Sequence, residues 1–268
     1  MTEYYHRAVV CHLVGFDLAA PLDLEMIQPG EDEVTAASRL VRRVCANYPR
    51  FFDAFLADAL YFRAPFVNLC LDLGKHVVTV LKGDNRNLLL DAQGLFRHQE
   101  PKIYQDGAKT IASWDQEGFE SAAGVRVPLR VLHTEERQNK RRRIAGRWEF
   151  QLEEHSWWWE TTIPAAVLPA PQLCTAGHHR WDIENDLFNT LATHWSLNHC
   201  FKHHPAAIQN FVLTLFIAFV LIQSFYLRNL KPEIRKRLTL IAIAREFYAD
   251  LGSASWSAPW VLRSRAGP

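Results

Sequence analysis

The sequence predicts an α/β fold with a mixed sheet, an inserted antiparallel β region and a helical C-terminal part. Three observations support this prediction. Apolar strand-like runs alternate with amphipathic helical runs over roughly the first 100 residues, a period of two dominates residues 103–162, and helical spacing dominates from residue 172 onwards. The chain has 268 residues, of which 49% are hydrophobic and 22% charged, which is the composition of a globular protein with a substantial core.

The first part of the chain alternates between predicted strands and predicted helices. Strands are expected at residues 6–15, 21–27, 51–57 and 76–82, and helices at residues 31–47, 64–73 and 87–96. Pro29-Gly30 and Pro49 delimit the first helix, and Gly74 is placed to cap the second. Asp58 directly follows the third predicted strand, and α/β sheets bind ligands at the carboxyl ends of their strands.

Four segments with alternating apolar residues predict the inserted β region. They cover residues 110–114, 126–132, 147–150 and 157–163. The run Lys140-Arg141-Arg142-Arg143 is the most basic part of this region and is expected at a turn. Two interpretations of the run stay open: a solvated hairpin tip, or a loop that contacts phosphate groups.

The C-terminal part is predicted to be helical. Three prolines in residues 164–171 indicate a linker, and helices are expected at 172–194, at 205–230 and after Lys231-Pro232 up to about residue 251. The predicted regions are 1–100 for the first part of the α/β domain, 101–165 for the inserted β region, 166–251 for the helical completion of the domain, and 252–268 for a loosely ordered tail.

Charge and cysteine content restrict the classes of function. Thirty basic residues against 29 acidic ones leave a net charge of +1, so only local clusters can indicate a polyanionic partner. Five cysteines without a CxxC pair argue against a disulfide framework and indicate a reducing compartment. The N-terminus lacks the basic-then-apolar pattern of a signal peptide. The sequence also lacks a GxSxG motif and a glycine-rich phosphate loop.

Residues 206–227 are long enough to cross a bilayer and contain no charged residue. Basic residues follow this segment, as they do at the cytoplasmic end of many membrane spans. However, five polar residues interrupt it, and its continuous apolar part covers only residues 215–222. A helix that is apolar all round is equally typical of the core of a large soluble domain, which is the favoured interpretation.

Cysteine and histidine residues crowd one segment of the helical part. Its members are Cys174, His178, His179, His194, His199, Cys200, His203 and His204. Zinc binds such ligands, but no pair has the spacing of a zinc finger or of an HExxH motif. Packed or surface histidines are therefore the favoured interpretation.

Arg180 and Glu184 lie four residues apart in the same predicted helix and therefore on the same face. Such a pair is either a surface ion pair or a carboxylate that an arginine holds in place for metal binding. Asp58 and Glu184 together could hold Mg²⁺ if the fold brings them close, because carboxylate oxygens are the ligands that Mg²⁺ prefers.

Several segments, in order, resemble the DDE transposases of the insertion-sequence-four type, which have an RNase-H-like fold. The matching segments are Glu3-Tyr4-Tyr5-His6, Pro29-Gly30-Glu31-Asp32-Glu33, Ala57-Asp58-Ala59-Leu60-Tyr61, Val80-Leu81-Lys82, Trp159-Glu160-Thr161-Thr162-Ile163-Pro164, Arg180-Trp181-Asp182-Ile183-Glu184-Asn185 and Trp195-Ser196-Leu197-Asn198-His199. Each segment alone is weakly specific, whereas the ordered series is fairly specific.

The resemblance implies a function and a set of site residues. Asp58 corresponds to the second catalytic aspartate and Glu184 to the glutamate, which in this family hold Mg²⁺ or Mn²⁺ with a first aspartate for phosphodiester cleavage and strand transfer. Arg180 is implied to contact DNA phosphate or to orient Glu184. The partner is expected to be terminal-repeat DNA bound by a homodimer, in the cytoplasm and associated with the nucleoid.

The chain departs from the family pattern at three places. Gly177 and Leu191 occupy the tyrosine and lysine positions of the signature around Glu184. The first aspartate of the family lies on a strand ahead of residues 4–6, and neither Asp17 nor Asp23 matches it. The expectation is therefore an N-terminally truncated, inactive transposase copy. Two alternatives are a non-catalytic DNA-binding remnant that uses the basic run and Arg180, and a single-span membrane protein anchored through residues 206–227.

Overall fold

A computed structural model of the chain describes residues 6–144, 147–199 and 204–253. Its strands are β1 (Ala8–Leu13), β2 (Ala20–Met26), β3 (Ala54–Ala57), β4 (His76–Val80), β5 (Lys102–Asp106), β6 (Lys109–Phe119), β7 (Leu129–Ile144) and β8 (Arg147–Thr161). Its α-helices are α1 (Glu33–Asn47), α2 (Ala64–Asp72), α3 (Arg86–Phe96), α4 (Ala170–His178), α5 (Asn189–His194), α6 (Pro205–Arg228), α7 (Pro232–Arg235) and α8 (Leu240–Ser253).

The strands form a mixed sheet and a separate strand pair. β1 and β2 are antiparallel and form a two-stranded sheet. The other strands form a six-stranded sheet in the order β3-β4-β8-β7-β6-β5, in which only β3 and β4 are parallel. The predicted α/β class with a mixed sheet is confirmed. The inserted β region continues the main sheet, because β8 returns to pair with β4 at Val80 and Trp159.

Hydrophobic clusters cover both faces of the six-stranded sheet. Val77 of β4 packs into the cluster that α1, α2 and α3 share, whereas Val78 and Val80 pack into a second cluster with Leu173 of α4. Since successive side chains of a strand point to opposite faces, α1–α3 and α4 lie on opposite sides of β4. A third cluster joins β2 to α5 and α6, and it includes Leu24, Leu191, Phe216 and Phe219.

The first helix shows how local sequence determines an element. Asp32 caps α1, and its carboxylate accepts a hydrogen bond from the Thr35 amide at 2.8 Å. Val34, Val41 and Val44 recur at helical spacing and are buried against the rest of the domain. This amphipathic pattern is why the predicted helix at 31–47 is found almost at its predicted ends.

Several predicted boundaries are wrong. The two strands expected at 147–150 and 157–163 are one continuous strand, β8, because it pairs with β7 along its whole length. The helix expected at 172–194 changes its winding: α4 is followed by a 3-10 turn (His179–Trp181), a π-helical turn (Ile183–Phe188) and α5. The third C-terminal helix is divided into α7 and α8, and α8 extends to Ser253. The predicted tail covers residues 252–268; residues 252 and 253 belong to α8, and residues 254–268 lie outside the described part of the chain.

One helix in the described part of the chain, α6, is long and apolar enough to cross a membrane. A single such helix is weak evidence for a membrane span, but only 17% of its apolar window is buried, so α6 is not a fully enclosed core helix. One side of α6 packs into the domain: Phe216 and Phe219 are buried, and Gln223 exchanges two hydrogen bonds with the backbone of Ala19, at 3.0 and 2.9 Å. Its other side exposes Ile217 and Leu221.

Candidate carboxylate site between β1 and β3

A cavity of about 370 Å³ lies between the strand pair and the main sheet. Successive residues of β1 and of β3 line it, together with residues from the helical segment around Arg180 and Glu184. Because both odd and even positions of each strand contribute, the cavity runs along the strand edges and not along one face. β1 pairs only with β2, and β3 pairs only with β4, so each strand has one unpaired edge within the described residues.

Asp58 lies at one end of this cavity, directly after β3, as predicted from the sequence. The side chain is 53% exposed, and its carboxylate accepts a hydrogen bond from the guanidinium of Arg180. Arg180 is 12% exposed and lies over the ring of Trp181, with 4.5 Å between the guanidinium carbon and the ring centroid. The fold therefore brings together Asp58 and Arg180 from distant parts of the chain.

Glu184 lines the same cavity from the π-helical turn. Within the described residues, its side chain has no hydrogen bond and no ion pair, and Arg180 pairs with Asp58 instead of Glu184. Arg180 and Glu184 both line the cavity, and the backbone between them passes from a tight 3-10 turn into a wider π turn. Glu184 therefore faces the cavity without an ion-pair partner among the described residues.

Glu33 is a further carboxylate that lines the cavity. It accepts a hydrogen bond from the hydroxyl of Tyr61, and burial of Tyr61, followed by this hydrogen bond, raises the pKa of that hydroxyl. Among the described residues, Glu33, Asp58 and Glu184 do not form a group of three ligand atoms within mutual reach of one metal ion. The cavity thus offers separate carboxylates and not a closed metal centre.

His12 lies on β1 and faces the cavity. Both of its ring nitrogens are buried without a hydrogen-bond partner among the described residues. Burial lowers the pKa of His12, although Asp182 and Asp186 on the helical segment act in the opposite direction. The imidazole is therefore more weakly basic than a free histidine.

The structure explains both replacements in the signature around Glu184. A β-carbon at Gly177 would lie 2.7 Å from the ring of Trp159, so a tyrosine does not fit there. Leu191 is fully buried in the cluster with Leu24 and Phe216, so this position packs into the core and not toward a phosphate. Neither position is available for a contact with DNA in this fold.

The basic run lies at the end of β7 and not in a turn, which corrects the prediction. Lys140 and Arg142 share one face of the strand and pair with Glu153 of β8; hydrogen bonds from these two residues lower the pKa of Glu153 to about 2. Arg141 points to the opposite face and lies 5.0 Å over the ring of Trp148, which is 59% exposed. Arg143 shares the face of Arg141 by alternation.

A comparison with protein families gives one match. The family model described as the transposase DDE domain matches residues 5–221. The comparison with curated proteins gives no match.

Proposed function

The chain belongs to the family of transposase DDE domains, and from this premise we propose that Asp58 and Glu184 are its catalytic carboxylates, at a site for Mg²⁺- or Mn²⁺-dependent phosphodiester cleavage. The α/β fold with its mixed sheet agrees with an RNase-H-like transposase domain. The observation that carries the proposal is that Asp58 and Glu184, from distant parts of the chain, line one cavity at the carboxyl end of a sheet strand. That the chain belongs to the insertion-sequence-four branch of these transposases stays a prediction from its sequence.

The residues present fit a divalent ion in part. Asp58 and Glu184 supply the oxygen ligands that Mg²⁺ prefers, and Glu184 has no competing partner among the described residues. They are the residues that would hold an ion, which would act as a Lewis acid on the phosphodiester. Asp58 is now paired with Arg180, so we expect this ion pair to open or to be shared when a metal binds.

Transposases act on DNA, and two surfaces of this chain support contact with its backbone. Arg180 borders the cavity and can exchange its bond with Asp58 for a phosphate oxygen, since a guanidinium binds either anion with its planar set of donors. On the hairpin, Arg141 shares a face with the exposed Trp148, whereas Lys140 and Arg142 on the opposite face are paired with Glu153. We therefore propose that DNA phosphates contact the strand face that carries Arg141, in preference to the face that carries Lys140 and Arg142.

The site is incomplete within the described residues. A symmetric two-metal site needs a further carboxylate, and the cavity offers only Glu33, which is engaged by Tyr61. The unpaired edges of β1 and β3 face one apolar gap, and an added strand that ends in an acidic residue would fill it. We infer that the chain binds DNA but does not cleave it unless such a strand is supplied.

Cleavage and binding tests separate these claims. The chain is mixed with end-labelled DNA from the ends of its own mobile element, with Mg²⁺ or Mn²⁺, and the products are resolved on a denaturing gel. We expect no strand cleavage, whereas cleavage that Asp58→Ala abolishes would contradict the inferred incompleteness and leave Asp58 in its catalytic role. Cleavage that survives both Asp58→Ala and Glu184→Gln would overturn the assignment of the two carboxylates.

DNA binding is measured by fluorescence anisotropy at several salt concentrations. Arg141→Ala should weaken binding and reduce the slope of log K against log salt by about 1, as expected for one lost phosphate contact. The matched control is Lys140→Ala, on the opposite face of the same strand, which should change the slope less because Lys140 is paired with Glu153. Equal effects of the two variants would contradict the assignment to the Arg141 face.

The partner, the assembly and the location stay proposals. We propose terminal-repeat DNA as the partner, a homodimer that holds two DNA ends, and a cytoplasmic, nucleoid-associated location. The alternative of a membrane anchor through α6 is favoured only by its length and apolar character. Recovery of the protein in membranes after carbonate extraction would support that alternative, and we expect the protein in the soluble fraction because α6 packs on β2.

A further inference from the structure

A second group of reactive side chains lies on the other side of the helical segment, away from the carboxylate cavity. Glu136 projects from β7, and Cys174 and His178 project from α4, one helical turn apart. One ligand atom of each residue lies within 4.8 Å of the others. Cys174 and His178 belong to the segment that is rich in cysteine and histidine, whereas Glu136 is distant in sequence and is brought to them by the packing of α4 on β7.

Glu136 is the centre of this group and is only 3% exposed. His178 Nε2 lies 2.5 Å from its Oε1 atom, and the Cys174 thiol lies 3.6 Å from the same oxygen. Lys109 donates to the other oxygen, Oε2, at 3.0 Å. Oε1 of Glu136 therefore faces Cys174 and His178, and Oε2 accepts a hydrogen bond from Lys109.

Aromatic rings orient the side chain of His178, and a cavity connects Glu136, Cys174 and His178 to solvent. The ring of His178 stacks on Trp181 at 5.6 Å and meets the ring of Trp159 edge to face at 5.5 Å. A cavity of about 590 Å³ reaches the group, and Tyr104 lines it. The Tyr104 hydroxyl is buried beside the Cys174 thiol and lines this cavity, so it lies next to the group.

We propose that Glu136, Cys174 and His178 bind one Zn²⁺ ion, with a fourth position open toward Tyr104 and the cavity. A thiolate together with an imidazole selects zinc over the oxygen-preferring Mg²⁺. Lys109 then acts as a positioning residue that holds Glu136 through its second oxygen. Zinc would hold neighbouring nitrogen and oxygen ligands about 3.3 Å apart, so the direct bond between His178 and Glu136 must open by a small side-chain rotation.

Protonation balances the binding step. Zinc binds cysteine as the thiolate, so binding releases the Cys174 thiol proton to solvent as the zinc–sulfur bond forms. The proton shared between His178 Nε2 and Glu136 must also leave Nε2, either to solvent or by a change of tautomer to Nδ1, before that nitrogen can bind the ion. The charges of the thiolate and of the Glu136 carboxylate then balance the two charges of the ion.

Such an ion would join α4 to β7 immediately before the turn that carries Arg180 and Glu184. Its role would be to position that turn, and it requires neither DNA nor the carboxylate cavity. The proposal therefore does not depend on the proposed function.

The test uses the full chain after removal of metal with a chelator. Titration with Co²⁺ should produce the near-ultraviolet absorption of a cobalt–thiolate bond at one ion per chain, and Zn²⁺ should then displace Co²⁺. Cys174→Ala should abolish the thiolate band, and His178→Asn and Glu136→Gln should weaken Zn²⁺ binding by about 100-fold or more. Lys109→Met should weaken it by about tenfold, as expected for a residue that acts through a ligand.

The matched controls are Cys45→Ala, His98→Asn and Asp58→Ala, which remove a cysteine, a histidine and a carboxylate outside the group. They should leave Co²⁺ absorption and Zn²⁺ affinity unchanged. Absence of a thiolate band in the wild-type chain would overturn the proposal, as would a loss of binding in Asp58→Ala equal to that in Glu136→Gln. If a ligand variant does not fold, X-ray absorption of the zinc-loaded wild type decides: one sulfur ligand supports the site, and none overturns it.

Discussion

The two sides of the helical segment from Ala170 to His194 differ in almost every physical respect. On the side of α4, Gly177 touches the ring of Trp159, and Cys174 and His178 pack against β7. On the side of the 3-10 and π turns, Arg180 and Glu184 border an open cavity, and the partner of Arg180, Asp58, is half exposed.

This difference shows how stability and function are distributed along one segment. On the close-packed side, the backbone at Gly177 has no room for a methyl group beside the Trp159 ring, and this close contact holds the segment on the sheet. The open side presents charged groups in irregular helical turns, where their partners can be exchanged for ligands at small cost. Substitutions on the close-packed side should therefore change the free energy of unfolding most, and substitutions on the open side should change it least.

The largest effect is expected for Gly177→Ala. The new methyl group would lie 2.7 Å from a rigid indole ring that is itself fully buried, so either the ring or α4 must move. We expect a loss of about 1–3 kcal/mol in the free energy of unfolding, which urea or thermal denaturation followed by circular dichroism would measure.

Gly94→Ala is the matched control for this prediction. Gly94 lies in α3, and a β-carbon added there would meet no neighbouring atom within 4 Å. Alanine should therefore leave stability unchanged or raise it by up to about 1 kcal/mol. An unchanged stability of the Gly177→Ala variant would show that α4 is not closely packed on Trp159, and the contrast between the two sides would fail.

A smaller effect on the free energy of unfolding is expected from the protonation of His12, which lies on β1 and faces the open cavity. Its pKa is lowered from 6.5 by burial, so below pH 6.5 the unfolded chain binds a proton that the folded chain does not. Stability should therefore fall as the pH drops below 6.5, with a slope of at most about 1.4 kcal/mol per pH unit from this residue.

The charged groups that face His12 reduce the dependence of stability on pH. Asp182 and Asp186 raise the pKa of His12 and so reduce the slope, and Asp17 lines the adjoining cavity. His12→Gln should remove this slope below pH 6.5, whereas Gly94→Ala, which leaves His12 in place, should retain it. An unaltered slope in His12→Gln would show that another group causes the pH dependence.

The smallest effect is expected when the ion pair on the open side is removed. Arg180→Met should change the free energy of unfolding by about 1 kcal/mol or less, because solvent screens the half-exposed Asp58 and methionine keeps the apolar contacts of the mostly buried arginine stem. A double-mutant cycle with Asp58→Asn measures the coupling, which should fall in the same range. A coupling of several kcal/mol would contradict the view that Arg180 and Asp58 are free to exchange partners.

Much of the fold could be predicted because it depends on local patterns. The apolar spacing of α1, its cap at Asp32 and the positive φ of Gly74 after α2 are determined by neighbouring residues. The position of Asp58 at the end of β3 follows from the same reasoning. The wrong boundaries occur where distant contacts decide: β8 is continuous because β7 pairs with it, and the helix after α4 changes its winding where it meets the cavity.

The sequence by itself determined the α/β class, the order of its elements and the residues Asp58, Arg180 and Glu184 as site candidates. The tertiary structure alone decided which groups meet. It paired Arg180 with Asp58 in place of Glu184, joined Glu136 to Cys174 and His178, and left β1 and β3 on either side of a gap. The physical reason is range: turns and helices depend on residues a few positions apart, whereas these contacts depend on how sheets and helices pack.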